Sequence, residues 1–137
     1  MKMIFIDTNV LMDWILERGD ASAIKHIVEL CNKNNMEYRA YVSFLSVANM
    51  AYILRKLPRE SIIRAIMKVK KNINILDMDD FILYPERYKS PDIEDCFQIF
   101  CAERKNCNVL LTNNTSHFLG YTDIPVMTAQ EFVSMCG

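Results

Sequence analysis

Glycine is nearly missing from this 137-residue chain, which has only Gly19, Gly120 and Gly137. A phosphate-cradling loop built on closely spaced glycines is therefore excluded. There are four prolines, and no low-complexity stretch, internal repeat or linker-like run marks a boundary, so residues 1–137 are expected to form one domain. An excess of one charge is lacking too. Sixteen basic against seventeen acidic residues give a formal net charge of −1, so no global basicity signals a nucleic-acid partner. The five cysteines, Cys31, Cys96, Cys101, Cys107 and Cys136, are odd in number and contain no C-x-x-C pair. This disfavours both a disulfide framework and a thiolate zinc site, and leads to the expectation of reduced thiols in a cytoplasmic protein. The apolar segment near the start is broken by Asp7 and Asp13 and lacks a basic leader, so it reads neither as a membrane span nor as a signal peptide.

What the chain does have is alternation. With 51% hydrophobic residues it can fill a core. Extended segments are predicted at Lys2–Ile6, Arg39–Val42, Ile73–Leu76, Asn108–Thr112 and Pro125–Met127, separated by stretches of helical periodicity. Such an order implies a mostly parallel sheet with helices on both faces. One helix is expected over Ala21–Asn34, with Ile24, Ile27, Val28 and Cys31 inward. Another should follow Ser43 and carry Phe44, Val47, Ala48, Ala51 and Leu54 inward, with Pro58 separating it from the next. Ser90-Pro91 is expected to begin a helix that packs Ile93, Cys96, Phe97 and Phe100, while Asp92 and Asp95 lie one turn apart on its other side. The run Thr128-Ala129-Gln130-Glu131 reads as a capping box for a terminal helix.

The chemistry-bearing residues gather at strand ends. Ile6-Asp7-Thr8-Asn9 places a carboxylate where a first strand gives way to a helix, the edge at which α/β folds bind ligands. Capping of that helix is the alternative role for Asp7 or Thr8, and one residue can do both. Ser43 and the run Thr112-Asn113-Asn114 occupy equivalent junctions, and Asp95 can reach the same edge. A phosphatase with D-x-D after its first strand is set aside because the second position is Asn9. A phospho-accepting receiver lacks its paired acids and its lysine at the end of the last strand.

Taken in order, I-D-T-N-V-L, S-F-L-S-V-A-N-M-A-Y-I-L, P-D-I-E-D-C-F-Q and L-L-T-N-N-T-S-H-F resemble the PIN domain family over nearly the whole chain. The likeness is nearest to small stand-alone bacterial members similar to VapC toxins. It implies a three-layer α/β/α fold with a mostly parallel central sheet of about five strands. It also implies carboxylates that bind Mg²⁺ or Mn²⁺ for hydrolysis of RNA phosphodiester bonds, since hard divalent ions take oxygen ligands and activate water. Asp7 matches the family's first acidic position and Asp95 its third. Thr112 and Asn114 match its polar support, with Thr8, Asn9, Ser43, Asp92 and Glu94 as further neighbours. The sequence departs from the pattern at Asn49 and His117, which stand where the second and fourth acids are usual, and at Asn113, which replaces an arginine. Both Asn49 and His117 are counted among the candidate metal ligands, alongside Asp7 and Asp95.

Two partner surfaces are expected. Basic residues cluster between Arg55 and Lys71, and Arg55, Lys56 and Arg59 are the candidates for RNA phosphate contact, a solvated helix surface being the alternative. The apolar segments Met50–Leu57 and Phe81–Tyr88 are candidates for a homodimer interface or for core. A small antitoxin protein is the partner implied by the toxin-like resemblance. The competing functional class is a PIN-like module that binds RNA or protein without cutting.

Overall fold

The computed structural model describes residues 1–77 and 89–136. In chain order they form β1 (Lys2–Ile6), α1 (Thr8–Leu16), α2 (Ala21–Lys33), β2 (Tyr38–Ser43), α3 (Phe44–Ile53) and α4 (Arg59–Asn72). These are followed by β3 (Asn74–Leu76), α5 (Ile93–Arg104), β4 (Val109–Leu111), a 3-10 turn (Thr115–His117), β5 (Val126–Met127) and α6 (Ala129–Cys136). The strands make one parallel sheet in the order β3-β2-β1-β4-β5. Every extended segment expected from the sequence is a strand, with ends shifted by a residue or two.

Strand alternation divides the interior in two, because successive side chains point to opposite faces. Ile4, Ile6, Ala40, Val42, Val109 and Leu111 pack with buried residues of α1, α2, α3, α4 and α6. Phe5, Tyr41 and Leu110 pack on the other face against Ile99, Cys101 and Ala102 of α5 and against Phe118. Helices therefore cover both faces of the sheet, in three layers. Ile4, Phe5 and Ile6 are fully buried, each adding about 2 kcal/mol of apolar burial as an upper estimate.

Two predicted helix faces are rotated. Along α3 the buried residues are Ser46, Val47 and Met50, followed by Leu54, whereas Phe44 is 56% exposed and Ala48 also faces solvent. Along α5, Cys96, Gln98, Ile99 and Phe100 are buried, Phe97 is half-buried and Ile93 is 53% exposed. The reason is common to both. Each helix turns a polar residue, Ser46 or Gln98, into the interior, and a reading that admits only apolar residues to the core misplaces the stripe. In Met50–Leu57, Met50 and Leu54 are core while Tyr52, Ile53 and Leu57 are exposed. Phe81–Tyr88 lies outside the described residues.

The chain runs outward from β1 through β2 to β3 and then returns to β4 on the other side of β1. The carboxyl ends of β1 and β4 therefore flank the point where strand order reverses, where such sheets open a crevice. Asp7 directly follows one of those ends and Thr112 the other.

Candidate functional site: an acidic cleft at the carboxyl edge of the sheet

Asp7 is buried, and its extended backbone makes it the N-cap of α1. One carboxylate oxygen accepts the Thr8 backbone N–H at 2.8 Å, and the other accepts the Thr112 hydroxyl at 3.0 Å. Capping and site membership thus coincide in one residue. Burial pushes its carboxyl up from the ordinary 3.8 to about 6 against the lowering effect of the Thr112 bond, and the charges of Asp95 and Glu94 push it further the same way.

The opposite wall is the first turn of α5. Asp92 caps that helix, accepting the N–H groups of Glu94 and Asp95 at 2.9 and 3.3 Å. Asp95 lies against His117, with Nδ1 and Oδ2 3.1 Å apart. Desolvation raises the Asp95 carboxyl and the charge of Asp92 adds to the rise, while contact with His117 opposes it. Glu94 is raised in the same way, by desolvation first and then by Asp92 and Asp95. Asn49 reaches across from α3 and donates its amide to Glu94 at 2.7 Å.

Between these walls lies a cleft of about 400 Å³ lined by Asp7, Asn9, Asn49, Glu94, Asp95 and His117, with Thr8, Asp92 and Asn114 also on its surface. Thr112 stands behind Asp7, and its hydroxyl also accepts the Asn114 N–H at 3.0 Å, fixing the start of the turn that carries His117. Among the described residues no lysine or arginine pairs with Asp7, Asp92, Glu94 or Asp95. Oxygen-rich, partly desolvated and electrostatically unbalanced, the cleft has the donor chemistry that suits a hard divalent cation.

Sequence reasoning missed Gln98 and Ser46, which join Thr8 of the cleft to a buried polar network. The Gln98 amide donates to Thr8 Oγ1 at 2.9 Å and to Ser46 Oγ at 2.7 Å, while its carbonyl accepts the Ser43 hydroxyl at 2.7 Å. Thr8 and Ser46 hydroxyls also lie 2.8 Å apart. Ser43, expected as a site neighbour, therefore belongs to this buried network and caps α3 through the Ser46 N–H at 3.1 Å. A signal for Gln98 was present, since it lies one helical turn after Asp95 and so shares its face.

Basic residues of the 55–71 run do not gather at the cleft. Arg55 stacks on Tyr52, its guanidinium 4.0 Å from the ring centre, and Tyr52 lines the cleft. Lys68 instead lies over Trp14 in a separate hollow of about 470 Å³ between α1, α2 and α4. Lys56 and Arg59 are exposed around the start of α4 and do not line the cleft. Asn113 donates to buried Asp13 at 2.9 Å, and Asp13 also takes the Arg18 guanidinium at 3.1 Å. Gly19, at φ +55°, leaves room for that cluster, since a Cβ there would come within 2.7 Å of Asp13 Oδ2.

Comparison with known proteins agrees with this architecture. A family profile described as PIN domain matches residues 3–116. Ribonuclease VapC1 of Aquifex aeolicus (strain VF5) is 28% identical over 145 residues, covering 96% of this chain and 93% of its own. Among solved structures, VapBC-1 from nontypeable Haemophilus influenzae superposes with a TM-score of 0.70 at 21% identity, over 93% of this chain and 98% of the other. VapBC2 from Rickettsia felis, bound to a DNA fragment from its promoter, gives 0.69 at 17% identity, over 91% and 96%.

Proposed function

This chain belongs to the PIN domain family, and on that premise we propose that it is a divalent-metal-dependent endoribonuclease, the toxin of a toxin–antitoxin pair, acting at the cleft of Asp7 and Asp95. The observation that carries the reading is the unbalanced charge of that cleft. Asp7, Glu94 and Asp95 are all pushed toward protonation by burial and by neighbouring carboxylates, with no lysine or arginine among the described residues to relieve them. A bound divalent ion removes that repulsion.

The donor set fits Mg²⁺ or Mn²⁺. Asp7 and Asp95 are the core ligands, Asp92 and Glu94 add carboxylates within the same cleft, and Asn49 and His117 line it as further oxygen and nitrogen donors. When bound, the ion lowers the pKa of water and stabilises charge building on a scissile phosphate. The protein's own residues do the positioning. Thr8 N–H and the Thr112 hydroxyl hold the Asp7 carboxylate in one orientation, and the capped first turn of α5 holds Asp95 opposite it. Beside the cleft, Arg55 supplies a cation for the RNA backbone and exposed Tyr52 a face on which a base can stack.

The relative named as a ribonuclease and the VapBC structures support RNA as the substrate and a small antitoxin as a partner. Exposed Tyr52, Ile53 and Leu57 offer apolar surface for a homodimer contact. Reduced thiols suit a cytoplasmic site of action, and among the described residues no helix is long and apolar enough to cross a membrane.

A second reading has its own observation. Asn49 gives an amide to Glu94 where the resemblance places an acid, and His117 replaces another, so a binding module that has lost cleavage is the competing account. Cleavage of a mixed-structure RNA with Mg²⁺, with Mn²⁺ and with chelator separates them. The expected result is ion-dependent cutting that falls at least about a hundredfold in Asp7→Asn. Binding of RNA without cutting by folded wild type under every ion condition overturns the nuclease reading.

A further inference from the structure

We infer that the cleft selects first-row transition ions such as Mn²⁺ over Mg²⁺, with His117 as a nitrogen ligand beside Asp92 and Asp95. This rests on the reading of the cleft as a metal site and specifies which ions that site takes. One ligand atom from each of Asp92, Asp95 and His117 lies within 4.8 Å of the others. The two acids come from the first turn of α5 and the imidazole from the 3-10 turn after β4, so the grouping is made by the fold and not by adjacency in sequence.

The turn that carries His117 is held from two sides. Ser90, buried just before α5, donates its hydroxyl to the His117 carbonyl at 3.0 Å. At the other end, His117 N–H bonds the Asn114 carbonyl at 3.0 Å, and Asn114 N–H bonds Thr112 Oγ1, which in turn holds Asp7. The backbone of the turn is thus tied to the same hydroxyl that orients the innermost carboxylate. Its Nδ1 already lies 3.1 Å from Asp95 Oδ2, so carboxylate and imidazole approach each other without rearrangement of either backbone.

Imidazole changes which ion such a site prefers. Mg²⁺ gives up water reluctantly and takes oxygen donors, whereas Mn²⁺ accepts the same carboxylates and also accepts imidazole, as do Fe²⁺, Co²⁺ and Zn²⁺. A nitrogen among the donors therefore favours the transition ions, while the carboxylates keep the site open to hard cations.

The test uses RNA-free full-length protein and Mn²⁺ as the probe, with Mg²⁺ as competitor. Free Mn²⁺ is counted by electron paramagnetic resonance, and electron spin-echo modulation reports a directly bound ¹⁴N. His26, the other histidine in the chain, is changed to Gln throughout so that any imidazole signal belongs to residue 117. The expected result is ¹⁴N modulation and a preference for Mn²⁺ over Mg²⁺ that drops about tenfold or more, with loss of the modulation, in His117→Asp. Equal preference in both proteins, or Mn²⁺ bound without nitrogen coupling, overturns the inference and leaves the nuclease reading standing. Failure of both ions to bind overturns both readings.

Discussion

Two polar clusters meet on one face of α5, a single turn apart, and they are built on opposite principles. Around Gln98 every buried donor has an acceptor: Thr8, Ser43 and Ser46 close a neutral network, and among the described residues no buried side-chain nitrogen or oxygen lacks a partner. Around Asp95 carboxylates face carboxylates: desolvation raises Asp7, Glu94 and Asp95, the charge of Asp92 adds to the rise at Glu94 and Asp95, and Asp95 adds to it at Glu94 and Asp7. The first cluster is complete within the chain. Among the described residues no lysine or arginine balances the second, and on the reading proposed above that difference separates a structural site from a binding one.

Breaking the neutral cluster should have the largest effect on folding. In Gln98→Leu the Ser43 hydroxyl loses its near acceptor and Thr8 and Ser46 lose an amide donor, all in a dry setting. Stability is expected to fall by about 2–4 kcal/mol in denaturant unfolding. A loss under ~0.5 kcal/mol would show that the network contributes little to folding.

Neutralising the charged cluster should do the reverse. Asp7 folds with a carboxyl raised from 3.8 to about 6, so folding disfavours its charged form. That penalty is absent below about pH 4, grows between the two values and is fully present above about pH 6. Metal-free Asp7→Asn is therefore expected to be more stable than wild type by about 1–3 kcal/mol at pH 7.5, with the gap closing by pH 4. Thermal unfolding of both proteins in chelator across that range checks the sign. A variant less stable at every pH would mean that the Thr8 and Thr112 bonds outweigh desolvation.

A smaller change sharpens the comparison from the rim. Asp92→Asn keeps a good helix cap and removes one charge. Stability should move by no more than about 0.5 kcal/mol, while the Asp95 carboxyl, raised partly by Asp92, titrates at lower pH. Carboxyl-carbon NMR titration reads that shift.

How much of this was legible in the sequence follows from the same contrast. Short unbroken apolar runs within Met3–Ile6, Arg39–Val42 and Asn108–Leu111 gave away the sheet, because strands covered by helices on both faces are buried residue after residue. Asp7, Asp92 and Asp95 announced themselves because a carboxylate beside a strand end or helix start has a cap or a ligand to serve. Gln98 and Ser46 did not, since an uncharged polar residue inside an apolar stretch looks like surface until its partners are known, and those partners lie 90 and 38 residues away at Thr8. That omission also rotated α3 and α5 and placed Phe44 and Ile93 inward when both are exposed. Charge runs misled in another way. Lys68 belongs to the run that begins at Arg55, yet the helical turn of α4 sends it to Trp14, away from the acidic cleft.

The central claim is that the clustered carboxylates of the cleft form the seat of a divalent ion, and it is tested most directly by the melting temperature of wild type and Asp7→Asn at pH 7.5, with and without Mn²⁺. The account predicts that Asp7→Asn melts higher than wild type in chelator, and that Mn²⁺ at about a hundred times its dissociation constant stabilises wild type by roughly 2.7 kcal/mol and the variant far less. A wild type that does not respond to the ion, or a variant that responds equally, would contradict it.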